Sequence, residues 1–161
     1  PEEYQVLVLL PQPPSKPFHR SREFKRILKY AEEMLIDIRR VHFCVYIAPF
    51  GVVPLELDEV YPLSQFEISS PLDLETKEYV VNQVREYILS GNHGCGVVIF
   101  HSEGDDLGER LKKECMDACL RVGLEFLSSE VKGKAWSRSS VESLVSRISL
   151  AMKTFKVARK E

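Results

Sequence analysis

The chain switches repeatedly between short apolar runs and longer stretches with apolar residues at helical spacing. Tyr4 to Leu10 is nearly unbroken apolar sequence closed by Pro11, the pattern of a strand buried on both faces. A proline-rich loop, Pro11 to Arg20, follows. Ser21 can cap a helix reaching about Ile38, with Phe24, Ile27, Leu28, Ala31, Met34, Leu35 and Ile38 on one side. Val41 to Ile47 reads as a second buried strand, and Phe66 to Ile68 as a short further one. Asp73 starts a helix that points Leu74, Val80, Val81, Val84, Tyr87 and Ile88 inward and ends near Gly91. Gly96 to His101 is a third strong strand. Asp105 or Asp106 caps a helix to Val122, stopped by Gly123, and Leu124 to Leu127 is a shorter strand. Ser139 and Glu142 form a capping box for a last helix, Val141 to about Phe155, with a charged, frayed tail over 156–161.

Alternating strands and helices predict an α/β three-layer sandwich, a mostly parallel central sheet covered on both faces, in a single domain over residues 1–161. The chain starts at Pro1, so it is read as a processed chain or a piece of a longer one. With 161 residues it can bury a substantial core, and 44% apolar with 29% charged residues is the balance of a globular domain rather than a disordered or fibrous chain. A net charge of −2 argues against an overall electrostatic footprint for nucleic acid while leaving room for local patches. No apolar run approaches membrane-span length and no leader pattern is present, so a cytoplasmic location is expected. The four cysteines, Cys44, Cys95, Cys115 and Cys119, lack C-x-x-C spacing and read as buried reduced thiols; neither metal nor cofactor is expected.

In such a sheet ligands bind outside the carboxyl ends of the strands. That directs attention to Pro11–Arg20, Pro49–Pro62, His101–Asp106 and Ser128–Lys134. The first of these holds Lys16, His19 and Arg20, with Arg22, Lys25, Arg26 and Lys29 on the helix that follows. Cations beside a helix N-terminus suit phosphates, and they also suit a plain solvated face. They oppose the helix macrodipole, so helix stability does not account for them. His101, ending a strand, is a candidate acid or base, or else a satisfied polar group at the edge of the core. Asp105 and Asp106 are more simply caps. His42 and His93 fall at the opposite ends of their strands. No G-x-G-x-x-G, P-loop, H-E-x-x-H or G-x-S-x-G pattern occurs.

The stretch from Ala48 to Pro62 is apolar and conformationally restricted. Pro54 and Pro62 lock φ, and Gly51 permits positive φ or a close backbone approach. Pro49-Phe50-Gly51-Val52-Val53-Pro54-Leu55-Glu56-Leu57, continuing to Tyr61-Pro62, resembles the G-V-V-P-x-E-L-x-x-x-Y-P signature of the domain shared by archaeosine synthase and related archaeal tRNA-guanine transglycosylase-like proteins. That family's other motif approximates P-C-x-x-K-P-Y-x-x-S-x-x-H. Lys16, Pro17 and Ser21 match it, whereas Gln12, Pro13, Phe18 and Phe24 replace its proline, cysteine, tyrosine and histidine. The thiol, phenol and imidazole able to attack or transfer protons are therefore gone. In architecture the domain is also similar to uracil-DNA glycosylases, with His101-Ser102 at a comparable strand end.

The resemblance implies a tRNA-modifying transferase acting on a nitrile-bearing deazaguanine, adding an amine toward an amidine. Catalytic candidates are then Lys16, Ser21, Glu56 and His101; substrate-binding candidates are Phe18, Arg20, Arg22, Phe50, Gly51, Tyr61 and Ser102. tRNA is the implied partner, together with an RNA-binding domain on the same or a partner chain. An extruded base would enter a pocket walled by Phe18 and Phe50. The alternative is a non-catalytic relative that keeps RNA binding or serves as a structural or assembly module. Oligomeric state is open.

Overall fold

The computed structural model describes residues 4–13, 18–47, 51–55, 73–129, 131 and 133–160. In chain order the elements are β1 (Val6–Pro11), α1 (Arg22–Glu33), β2 (Val41–Ile47), β3 (Gly51–Pro54), α2 (Leu74–Ser90), β4 (Val97–Phe100), α3 (Asp106–Val122), β5 (Glu125–Ser128) and α4 (Arg138–Lys160). Among the described residues the strands form one sheet in the order β3-β2-β1-β4-β5. β1 pairs in parallel with β2 and β4, β4 pairs in parallel with β5, and β3 runs antiparallel to β2.

The continuous apolar runs of β1, β2 and β4 have the physical consequence expected of them: both faces of the sheet are covered. Val6, Val8, Leu10, Phe43, Val45 and Ile99 face the layer of α1 and α4. Leu7, Leu9, Cys44, Tyr46, Val98 and Phe100 face α2 and α3. The architecture is therefore the expected α/β three-layer sandwich around a mostly parallel sheet. Ser21 caps α1 by accepting the Phe24 N–H, Asp73 caps α2 through Thr76, and Asp105 caps α3 through Gly108.

Several element bounds differ from those expected. Residues 51–54, read as loop, form the edge strand β3. The β-branched pair Val52-Val53 suits a strand, and Pro54, which lacks an N–H, is tolerated at a sheet edge. α1 stops at Glu33 rather than near Ile38. Leu35 takes φ 58° and is 93% exposed, while the Ile36 N–H turns back to Ala31 O. Asp37 then caps a short 3-10 turn that feeds β2. α4 begins earlier than the proposed capping box. Ser139 lies inside the helix, and the hydroxyl accepting from the Ser140 N–H belongs to Ser137. The helix also runs past Phe155 to Lys160. The strand expected at Phe66–Ile68 lies outside the described residues.

Candidate functional site

β1 and β4 are neighbours in the sheet, yet β1 leads through α1 to β2 on one side and β4 leads through α3 to β5 on the other. The connections separate at their carboxyl ends and leave a crevice there, the usual ligand position in an open α/β sheet. A cavity of about 110 Å³ occupies that place, lined by Pro11, Gln12, Tyr46, Glu103, Asp105 and Trp136. It is small beside the roughly 300–1,000 Å³ of sites for drug-sized ligands. Room of that order suits one planar edge rather than a whole nucleotide.

The rim is fixed by a clasp between two loops. His101 follows β4 and is fully buried. Its Nε2–H donates to Ala135 O at 2.6 Å, and its Nδ1 pairs with the Ser129 hydroxyl. Glu103 Oε1 accepts the Ala135 N–H at 2.9 Å, so both ends of the Ala135 backbone are held from the same loop. Burial pulls the His101 pKa below the ordinary histidine value, against smaller opposing effects of the Ala135 bond and the Glu103 charge. A neutral ring that donates from Nε2 must accept at Nδ1, which is the role the Ser129 hydroxyl completes.

The clasp seats Trp136. Its ring stands edge-on to His101 with centroids 6.2 Å apart, and only 9% of the residue is exposed. Its indole N–H has no hydrogen-bond partner among the described residues. Tyr46 forms the opposite wall, stacked on Phe100 at 5.3 Å and donating to His101 O at 2.8 Å. Burial, with added repulsion from Asp105 and Glu103, pushes the Tyr46 pKa far above its usual value, so it remains a neutral phenol. Beneath the rim, a Cβ on Gly108 would sit 2.0 Å from Ser102 Oγ and 2.6 Å from Asp105 Oδ1. Only a glycine there lets the 101–105 loop fold onto the start of α3.

The candidate residues that lie among the described ones do not line this cavity. Phe18 is fully buried in the core beneath α1, and the Ser21 hydroxyl is occupied as the α1 cap at 3.0 Å from Phe24 N. Arg20 and Arg22 are exposed at the start of α1. Gly51 takes φ 93° and packs against α2, where a Cβ would lie 2.6 Å from Gln83 Cβ. His101 and Ser102 are behind the rim, Ser102 accepting the Gly104 N–H at 3.0 Å. Lys16, Phe50, Glu56 and Tyr61 lie outside the described residues. What the sequence reading missed are Tyr46, Glu103 and Trp136. The available signals were a phenol near the carboxyl end of a largely apolar strand and the chain's single tryptophan just before the last helix.

Other reactive groups are withdrawn from solvent. All four cysteines are buried and unpaired by disulfides. Burial raises the Cys95 pKa to about 12 and the Cys119 pKa to about 11, and Cys115 moves the same way. Among the described residues no group of three His, Cys, Asp or Glu side chains could hold a metal ion, and no helix is long and apolar enough to cross a membrane.

Residues 1–148 match the family described as "Domain of unknown function (DUF5591)". The tRNA-guanine(15) transglycosylase of Methanobrevibacter smithii is 36% identical over 84 residues, 51% of this chain and 13% of that protein. The archaeosine synthase subunit alpha of Methanosarcina acetivorans is 28% identical over 110 residues, 65% of this chain and 16% of that protein. The resemblance read from the signature is thus borne out, and the chain spans about one-sixth or less of the length of these curated relatives. The crystal structure of AF0587, a protein of unknown function, shares the fold with a TM-score of 0.60 and 21% identity, over 90% of this chain and 44% of that one.

Proposed function

This chain belongs to the DUF5591 family, and from that premise we propose that it serves in tRNA modification of the archaeosine type, seating a guanine-like base edge in the cavity between β1 and β4. The observation that carries the reading is the combination of groups in that cavity. Glu103 and Asp105 offer carboxylate oxygens, and Trp136 lines the same cavity while its buried indole N–H has no partner among the described residues. A guanine or deazaguanine edge presents adjacent N–H donors beside one carbonyl acceptor. Carboxylates take the donors, and the indole donates to the carbonyl. A base reaching this site from tRNA would have to leave its stack, which is the usual route for chemistry on a base.

The finer activity in this proposal is conversion of a nitrile-bearing deazaguanine. An amine nitrogen adds to the nitrile carbon, the carbon–nitrogen triple bond becomes a double bond, and one amine proton passes to the former nitrile nitrogen, leaving an amidine. Of the four catalytic candidates, Ser21 and His101 have their side chains engaged in a cap and in the rim clasp. Proton handling in this scheme falls to Lys16 and Glu56. The same engagement of Ser21 and His101, with four buried thiols, favours a second reading in which the domain binds the base while another part of a larger assembly performs the addition.

One experiment separates them. The chain is incubated with tRNA bearing the nitrile base and an amine donor, and the nucleosides are weighed by mass spectrometry while tRNA binding is measured in parallel. Amidine formation that Lys16→Ala abolishes supports the catalytic reading. Binding without a mass change leaves the domain a base-recognition module, and absence of both sinks the tRNA assignment.

A further inference from the structure

The two helical layers differ in how their charges are used. In the α2/α3 layer four cations sit against acids: Lys77 with Asp106, Arg85 with Glu114 and Asp117, Arg110 with Asp106, and Arg121 with Asp117, at 2.8 to 3.3 Å. Only the adjacent pair Lys112 and Lys113 on α3 has no such partner among the described residues of these two helices. On α1 the arrangement is different. Arg22, Lys25, Arg26 and Lys29 follow i, i+3, i+4, i+7 spacing, all four are exposed, and none has a carboxylate partner within 4.0 Å among the described residues. They make one continuous stripe opposite the buried Ile27 and Ala31.

This placement works against the helix itself. Arg22 and Lys25 outnumber the one acid of the first turn, Glu23, and Glu32 and Glu33 close the last turn, so the net charge at each end opposes the macrodipole. An unpaired, dipole-opposed row of like charges on an otherwise acidic chain calls for a polyanion outside the molecule. The stripe spans about 10 Å at 1.5 Å per residue. That length accommodates about three successive backbone phosphates of a nucleic-acid strand. It starts at the end of α1 that follows β1, the strand whose last residue, Pro11, lines the cavity.

We propose that the Arg22, Lys25, Arg26 and Lys29 face of α1 is an RNA-backbone surface, holding the phosphates that flank a base presented to the cavity. The inference rests on the tRNA reading above and adds a separate surface to it.

The test is a salt titration of tRNA binding to the full chain from 50 to 200 mM. Each phosphate contact contributes about −0.7 to −0.9 to the slope of log K against log salt. The quadruple variant Arg22→Gln, Lys25→Gln, Arg26→Gln, Lys29→Gln is expected to flatten that slope by about 2.4, so its affinity falls about 30-fold less than wild type's over the range. Two matched double variants remove net-charge effects. Lys25→Gln with Lys29→Gln should weaken binding, whereas Lys112→Gln with Lys113→Gln, the same charge change on α3, should not. Equal slopes in wild type and quadruple variant, or equal losses in the two doubles, overturn the stripe while leaving the tRNA reading intact. Failure of the wild-type chain to bind tRNA at 50 mM salt overturns both. Stripe-dependent binding to vesicles of anionic lipid without stripe-dependent tRNA binding assigns the face to a membrane surface instead and overturns the RNA proposal.

Discussion

Trp136 puts two opposed contributions to stability into one ring. Its buried aromatic surface favours folding, while its unpartnered indole N–H costs about 1–3 kcal/mol of lost hydration. Trp136→Phe removes the orphan donor and some packing together, and these effects on folding have opposite signs. The melting temperature should therefore move by only a few degrees. Binding of a deazaguanine nucleoside, measured by calorimetry, should weaken about tenfold if the donor meets the base carbonyl. Unchanged affinity would remove Trp136 from the recognition scheme. None of this was readable from spacing along the chain. Trp136 acquires its position from Ala135, which is gripped by His101 and Glu103 more than thirty residues earlier. His101 itself was legible as a polar residue at a strand end. The chemistry of its two nitrogens was not, because Ser129 and Ala135 come from a loop that only the fold brings near.

At the scale of elements, the long strands and helices were legible because each carries its own local instructions: unbroken apolar runs, caps such as Asp73 and Asp105, and stops at Gly91 and Gly123. β3 was not. Its four residues are too few to show alternation, and their strand character comes from pairing with β2. The end of α1 was missed for a related reason. Met34, Leu35 and Ile38 continue the apolar spacing, but the chain must turn toward β2, and Leu35 is left in the left-handed region and exposed. Gly51 shows what β3 requires of its sequence. Its φ of 93° is unfavourable for any side chain, and a Cβ would meet Gln83 Cβ of α2 at 2.6 Å. Gly51→Ala should therefore destabilise the fold by about 2–3 kcal/mol, read as a fall in the urea midpoint with an unchanged slope. A loss below about 0.5 kcal/mol would mean that α2 and β3 separate freely. The glycine of the family-like signature thus has a packing role, independent of any ligand.

For the whole molecule, the two ends of the sheet respond alike to acid. His101 lies past the carboxyl end of β4, and His93 precedes its amino end; burial lowers the pKa of both below the usual histidine value. Below about pH 6.5 the unfolded chain therefore binds protons that the folded chain refuses, so stability rises with pH in that range. Stability should be greatest above about pH 6.5 and should fall as the pH drops through that value, by up to about 1.4 kcal/mol per pH unit for each histidine, until the lowered folded pKa is reached. The carboxylates Asp73, Asp106 and Asp117 act separately. Their pKa values are lowered by the Thr76 backbone N–H, by Lys77 and by Arg85 respectively, so their contributions are present above the ordinary carboxylate pKa and are lost only in stronger acid. Urea denaturation between pH 7.5 and 4.5 should show the histidine slope in wild type and a shallower one in His93→Gln with His101→Gln. Should that double variant fail to fold, NMR titration of the wild-type imidazoles gives the same answer: two rings must titrate below the ordinary histidine range. Stability that stays level from pH 7.5 to 5 would mean that the rings accept protons without disturbing the fold, and the clasp that seats Trp136 would then not depend on a neutral His101.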